Sequence, residues 1–471
     1  MRTIDVAIVG AGLTGAILAM ELLGRMPRGS TLALVGRPES FGRGVAYGTA
    51  DPDHRLNVPA ARMSLYMSDP LDFVRWLGHD AETALTAGEA HGAAFAPRRT
   101  YGRYLADRLA EAERRAAGRV KLLRIADTAL EAGLTAGGYR IDLAEQAPLR
   151  AAGLALCLGN APAALPVPPA AIDPAARGRI VVDPWGEAGV AAVAPDEDVL
   201  FVGTGLTMVD LALTLARRGH RGRLLALSRR GLMPIGHSDP RPAPHAPAPP
   251  VGADLAGLVR WVRRAVAAEA AAGGDWQAVV DGLRPHTQAL WGALGAVDRR
   301  RFLRHLATHW GVHRHRMAPA VARRIAALVE DGRLASIAGR LEGIAASPDG
   351  RLAARVRRRG AATAEPIAVD RIVNCCGLDR SPVASREPLM QSLLDGGIAR
   401  ADALGLGLDV TAESRLLRRD GAVADTAFAL GPLTVGRFWE IVAVPDIRVQ
   451  CRDVAETLAT TLAAARTRAA G

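Results

Sequence analysis

An α/β fold follows from three features of this 471-residue sequence. VAIVGAGLTG opens the chain with an apolar run, a glycine turn and the start of a helical pattern. VLFVGTGLTM repeats that outline from Val199. Strand-like runs and helical patterns then alternate through much of the remainder, as parallel β-α-β units require. Together these features predict two Rossmann-like dinucleotide-binding domains. The first is expected to be discontinuous, over about residues 1–190 and 373–471. The second is inserted in it at about 191–372 and carries an α-helical insertion at about 253–330.

Each element has a local reason. TIDVAIV (3–9) is short, apolar and rich in β-branched residues, which suits a buried parallel strand. After GAGLTG, AILAMELLGRM has apolar residues at helical spacing, and TLALVG (31–36) is the next strand. In SDPLDF, Asp69 reads as an N-cap and Pro70 as the first helical residue. YGRYLADRLAEAERRAAG (101–118) is a helix ended by Gly118, and KLLRIADTALEAG, GYRIDLAE and LRAAGLALCLG alternate like strands of a sheet. The second β-α-β unit consists of LFVG, LTMVDLALTLARRG and GRLLALSRRG. Segment 234–254 is rich in Pro and is an extended loop by composition. The helical stretch beyond it holds Trp261, Trp276, Trp291 and Trp310. Strands return at 334–346, 351–358 and 367–376, and DVAETLATTLAAARTRAA is a final helix.

Composition narrows the function. No apolar run reaches the roughly 18 residues of a membrane span, and the first strand lacks a small-residue cleavage site. We therefore expect a cytoplasmic protein with no membrane partner. Cys157, Cys375, Cys376 and Cys451 form no C-x-x-C pair, so metal-ligand spacing and a reductase dithiol are both missing. These cysteines read as small buried hydrophobes, and no metal is expected. Net charge is +11, yet Lys121 is the only lysine and the arginines are scattered, with short runs such as RVRRR (355–359). No aromatic residues interleave with them to stack bases, so nucleic acid is not an expected partner.

The glycine turns carry the chemistry. Gly10, Gly12 and Gly15 form G-x-G-x-x-G between a strand and a helix. The first permits the tight turn, the second lets backbone approach a pyrophosphate, and the third allows close helix–strand packing. Helix N–H groups, from Leu13, Thr14 and Gly15 onward, then face the phosphates. The acid expected about 20 residues later, on the ribose, is missing. Val35-Gly36-Arg37 stands there, and Glu39 is its substitute. In the second turn Gly203 and Gly205 hold the first two positions, followed by Leu206 and Thr207, while Met208 takes the third. That helix must stand farther from its strand. At the end of the following strand, Arg229 and Arg230 lie where the 2′-phosphate of NADP would sit, in place of an acid that would favour NAD.

The chain resembles the FAD-NAD(P)-binding protein family, relatives of the two-dinucleotide-domain flavoproteins. The likeness rests on VAIVGAGLTG, RGVAYGTADPDHRLNVPAARMSLYMSDPLDFVRWL (43–77), FAPRRTYGRYL, VLFVGTGLTMVDLALTL, DRRRFLRHLATHWGVHRHRMAP (298–319), IVNCCG and LGPLTVGRFWEIVAVPDIRVQ (430–450). In layout it is similar to class B flavin monooxygenases, including amine N-hydroxylases. The resemblance implies that Gly10, Gly12 and Gly15 hold an FAD pyrophosphate and that LNVPAARMS passes along the flavin, with Asn57, Arg62, Met63 and Ser64 near it. It brings WEIVAVPDIR, with Trp439 and Pro445, toward the flavin ring, and Gly377, at the end of IVNCCG, is counted with Trp439 among the cofactor-binding residues. Asn57, Ser64 and Trp439 are the candidates beside the reacting ring. His305, His309, His313 and His315, with neighbouring arginines, read as a polar, cationic face that could meet substrate or NADPH phosphate.

The expected function is an FAD-dependent NAD(P)H oxidoreductase. It reads as a monooxygenase that passes oxygen to a small polar or amine substrate, with NADPH as the preferred reductant and NADH as the other. Two alternatives stand beside it: a flavoprotein reductase or oxidase that transfers no oxygen, and a non-catalytic FAD-binding redox sensor.

Overall fold

The computed structural model describes residues 1–38, 41–80, 92–159, 163–186, 189–377 and 381–470. Two units emerge. One contains Met1–Pro52, Val58–Ala161 and Arg380–Gly471, and the other contains Asp53–Asn57 and Pro162–Asp379. The chain thus passes between them at 52/53, 57/58, 161/162 and 379/380. The expected boundaries at 190/191 and 372/373 fall inside the second unit, because the short strand at Ile180–Val181 pairs there. The excursion at 53–57 had no counterpart in the sequence reading.

In the first unit, β1 (Arg2–Val9) is buried on both faces from Val6 to Val9, as a central parallel strand must be. It leads through the first glycine turn into α1 (Leu13–Arg25) and β2 (Ser30–Gly36). A short α2 (Gly44–Tyr47), α3 (Asp72–His79) and α4 (Arg98–Ala116) follow. The helix expected to start at Pro70 starts at Asp72, with Leu71 in the N-cap position; the Asp69 carboxylate pairs instead with Arg75. Asp72 receives a two-pronged bond from Arg108 at 2.9 Å on each oxygen and a third from the Tyr104 hydroxyl at 2.6 Å, which fastens α3 to α4. Then come β3 (Val120–Ala126), β4 (Ala129–Thr135), β5 (Gly138–Leu143) and β6 (Leu149–Leu156).

The second unit holds β7 (Ile180–Val181), β8 (Val199–Val202), α5 (Leu206–Arg217) and β9 (Leu224–Ser228). The helical insertion comprises α6 (Leu255–Ala271), α7 (Trp276–Gly282), α8 (Thr287–Ala293), α9 (Ala296–His305), α10 (Ala307–Arg314) and α11 (Pro319–Glu330). β10 (Leu334–Ala346), β11 (Leu352–Arg358), β12 (Glu365–Val369) and β13 (Arg371–Asn374) complete it. The single strand expected at 367–376 is two, broken at Asp370. There the chain turns from the antiparallel partner β11 to the parallel partner β8. The sheet order is β12-β11-β10-β9-β8-β13-β7.

Back in the first unit lie α12 (Pro388–Asp395), β14 (Arg415–Leu417), β15 (Val423–Ala429) and α13 (Val444–Ala470). The last helix begins well before the expected stretch. This sheet runs β14-β15-β6-β1-β2-β3, with β4 and β5 attached through β6. In both sheets the glycine-turn strand is central, with parallel neighbours on each side. Among the described residues no helix is long and apolar enough to cross a membrane.

Candidate cofactor-binding site

The two glycine turns share one hydrogen-bond frame. Gly10 N–H donates to the Val35 carbonyl at 2.8 Å, and Cys157 N–H donates to Val9 at 2.7 Å. In the second turn Gly203 N–H donates to Leu227 at 2.7 Å and Cys375 N–H to Val202 at 2.8 Å. Gly10 and Gly203 both have left-handed φ, +106° and +118°. A methyl on either would lie 2.3 or 2.0 Å from the carbonyl oxygen of the facing cysteine. Both glycines are therefore required by the fold itself.

The second glycines differ in kind. Gly12 and Gly205 are in extended conformation, which any residue adopts. A methyl on Gly12 would meet only the Gly44 main chain, at an ordinary contact distance of 3.5 Å, and one on Gly205 nothing within 4 Å. Packing does not demand glycine at these two positions, but close approach of a ligand to the helix N-termini does. The first helical turn of α1 offers the N–H groups of Leu13, Thr14 and Gly15, and α5 offers those of Leu206, Thr207 and Met208, ahead of the first intrahelical bonds at Ala16 and Val209. This cradle fits a pyrophosphate.

At the third position a methyl on Gly15 would lie 1.9 Å from the Gly10 carbonyl oxygen. Met208 occupies that place in the second turn and is fully buried. Its Cβ cannot take so close an approach, so α5 must stand off from its strand.

The sequence did not single out two groups of side chains: one walls the first turn, and the other fastens segment 62–66. Gly431, with φ +67°, sits so near Thr14 that a methyl there would lie 2.8 Å from Thr14 Oγ1. Its N–H donates to Gln450 Oε1 at 2.7 Å, and Gln450 Nε2 donates to Ser414 and Thr434 hydroxyls at 3.0 and 3.1 Å. The second group fastens segment 62–66. Tyr101 Oη donates to the Met63 carbonyl at 2.8 Å, Leu65 N–H donates to Tyr104 Oη at 3.2 Å, and Arg448 of α13 donates to the Ser64 carbonyl. Burial pushes the Tyr101 phenol well above its usual range, so it remains a donor.

Among the anticipated flavin neighbours, Arg62 is half-buried and Met63 buried. Ser64 is fully buried, and its hydroxyl donates to the Asp69 carbonyl at 2.6 Å, so it is already committed to holding its own loop. Asn57 belongs to the second unit, where its carbonyl accepts from His237 Nε2 at 3.0 Å. Trp439 is buried beside Glu440, one of two described non-glycine residues with positive φ (+67°). Gly377 has φ +83°, and its carbonyl accepts from Ala163 N–H. Glu39 lies outside the described residues.

At the end of β9, Arg229 is exposed. Arg230 is held by the helical insertion: Nη1 contacts His309 Nε2 at 3.1 Å, and Nη2 donates to the His305 carbonyl at 3.1 Å. The histidine run is not one helix, since it breaks at Leu306 between α9 and α10. The break leaves the His305 carbonyl available to Arg230. Cys157, Cys375 and Cys451 are buried and Cys376 half-buried; burial raises all four thiols, Cys376 to about 11. They stay protonated.

Residues 7–161 match the family model described as FAD-NAD(P)-binding. The chain carries an FAD-NAD(P)-binding family domain. Within this family domain lie Gly10, Gly12, Gly15, segment 62–66 and both anchoring tyrosines; the second turn lies outside the matched residues. No curated protein matches the chain. Solved structures share the fold along its whole length. An ornithine N-hydroxylase from Kutzneria sp. 744, in complex with reduced FAD, NADP+ and L-ornithine, is 15% identical over 97% of this chain and 99% of that one, with a TM-score of 0.64. The reduced ornithine hydroxylase PvdA of Pseudomonas aeruginosa is 15% identical over 98% of this chain and 100% of its own, with a TM-score of 0.63. The FAD-bound cadaverine monooxygenase DfoA of Erwinia amylovora is 13% identical over 98% and 95%, with a TM-score of 0.64. The FAD-NAD(P)-binding domain thus sits in a chain whose layout these flavoproteins share.

Proposed function

We propose that this protein is an FAD-dependent NAD(P)H oxidoreductase that works as a monooxygenase on a small polar substrate of amine type. The observation that carries the reading is the pair of matching glycine frames, one per unit, each with a second glycine that folding does not require. Two such cradles suit a resident FAD and a visiting nicotinamide dinucleotide. When bound, FAD accepts hydride from NAD(P)H and activates O₂.

The chain's own residues have separable tasks in this reading. Gly12 and the first N–H groups of α1 hold the FAD pyrophosphate, with Thr14 fixed beside it by the Gly431 turn. Segment 62–66 lines the flavin through main-chain groups and the Arg62 and Met63 side chains, while Tyr101, Tyr104 and Arg448 set its position. The N-terminus of α13, behind Trp439, favours negative charge at the ring. Gly205 and α5 hold the second pyrophosphate, and Arg229 and Arg230 favour NADPH. The sequence has no C-x-x-C dithiol, which argues against disulfide reduction. Ornithine and cadaverine, the substrates named for the structural neighbours, support an amine.

The test is anaerobic stopped-flow absorbance of the holoprotein with NADPH, followed by O₂ and a panel of diamines and amino acids. We expect rapid flavin bleaching by NADPH and a hydroxylated product from one panel member. Flavin that NADPH never reduces at a useful rate would overturn the enzyme reading. Stoichiometric peroxide with no oxygenated product would replace the monooxygenase with an oxidase.

A further inference from the structure

Of the histidines expected to meet substrate or NADPH phosphate, His309 is the one whose side chain the fold brings to Arg230, just past the end of β9. β9 ends at Ser228, and Arg230 lies two residues on. β10 pairs beside it, with Ala338 opposite Ser228, and the Ala338 carbonyl accepts from Arg359 N–H at 2.8 Å. Arg359 therefore starts from the same strand end. His309 arrives on α10, its own carbonyl 2.8 Å from His313 Nδ1.

The groups acting on His309 come from three elements. Arg230 follows β9, Arg359 follows β11, and His313 lies one turn along α10. All are cations or can become cations. A guanidinium only donates, so His309 Nε2 must accept from Arg230 Nη1, which requires a neutral imidazole protonated at Nδ1. Partial desolvation, then Arg230, His313 and Arg359, push His309 below its ordinary range, in agreement with that tautomer. The cluster thus gathers basic groups at the place where a Rossmann domain reads the adenosine ribose.

We infer that Arg230, Arg359 and His309 together form a phosphate-monoester site, and that His309 takes up a proton when the 2′-phosphate of NADP(H) binds. The inference rests on the reading of the second turn as a nicotinamide-dinucleotide site. A dianion between Arg230 and His309 replaces their mutual hydrogen bond with two charge-assisted ones. The proton then belongs on the imidazole, and 2′-phosphate affinity rises as pH falls toward 6.5. The phosphate's own second ionisation, near 6, sets the lower limit of a clean measurement.

The experiment is calorimetric titration of the FAD-loaded full chain with adenosine 2′,5′-bisphosphate and with AMP. It is run between pH 6.5 and 8 in buffers of different ionisation enthalpy. Wild type should prefer the bisphosphate and take up part of a proton on binding it. His309→Gln should lose that uptake and about tenfold in bisphosphate affinity at pH 6.5, with AMP unchanged. His309→Lys, carrying a permanent charge, should restore affinity without proton uptake. His309 is exposed, so neither change threatens folding. If Arg230→Ala abolishes the preference while His309→Gln matches wild type in affinity and proton count, this inference falls and the cofactor reading stands. If wild type does not distinguish the two nucleotides, this inference falls together with the NADPH preference.

Discussion

Arg448, near the start of the last helix, donates from Nη1 to the main-chain carbonyl of Ser64 at 2.5 Å. Tyr101 holds the adjoining Met63 carbonyl from another helix. Segment 62–66 is therefore placed by residues distant from it in sequence. Hydrogen bonds to charged groups contribute about 1.5–3 kcal/mol. Arg448→Met combined with Tyr101→Phe should loosen the segment and release FAD, while far-UV circular dichroism stays native. Flavin retained through gel filtration by the double variant would remove this role.

The glycines divide into those the fold needs and those a ligand needs. Gly10→Ala and Gly15→Ala should fail to yield folded protein, because the added methyl overlaps carbonyl oxygens. Gly12→Ala and Gly205→Ala should fold with near-native thermal midpoints. The first should be purified colourless, and the second should be yellow but poorly reduced by NADPH. Visible absorbance and melting curves on the four variants separate the two classes.

Replacing Arg229 and Arg230 together by Ala should weaken NADPH far more than NADH. Steady-state KM values for both reductants provide the check. Equal loss for the two would mean that these arginines do not read the 2′ position.

Arg316 is fully buried in the helical insertion, and the buried Asp281 carboxylate bonds both it and Arg241. Removing one partner of a buried pair costs about 3–5 kcal/mol, because the other charge is left uncompensated. Asp281→Ala should therefore cost more, in urea unfolding, than the double change Asp281→Ala with Arg316→Met. A strictly additive result would mean the two charges are not coupled.

His237 makes the fold acid-sensitive. Burial, assisted by the charges of Arg316 and Arg241, lowers it from its ordinary 6.5 to about 4, against the opposing bond to the Asn57 carbonyl. The unfolded chain binds this proton more readily than the folded one does. The stabilisation is thus complete above pH 6.5 and is lost as pH falls toward 4. Denaturant midpoints should drop across that window in wild type and drop less in His237→Gln.

How far the sequence could be read depends on the range of the interaction. The strand–turn–helix units at Gly10 and Gly203 were legible because apolar run, glycine spacing and helical period lie within about twenty residues. Met208 was legible too, since its bulk at the third position forbids what Gly15 allows. The break at Leu306 was not, because His305, His309 and His313 keep helical spacing across it. Nor could Ser64 be seen as a buried latch, since its partners depend on how residues 62–69 curl rather than on any local pattern. The turn at Asp370 escaped for a similar reason: apolar residues resume directly after Asp370 and Arg371, and only the change of pairing partner reveals it.

The five residues Asp53–Asn57 have a practical bearing on rebuilding this protein. Asp53 pairs with Arg217 at 3.3 Å and Arg324 at 2.7 Å, and His54 meets Thr214 at 2.9 Å and the edge of Trp185. A chimera that exchanges only residues 162–379 with a homologue would pit this pentapeptide from one parent against foreign partners from the other. Swapping reductant specificity between relatives therefore calls for two simultaneous grafts, the long one and this short one, and the short one decides whether the long one settles.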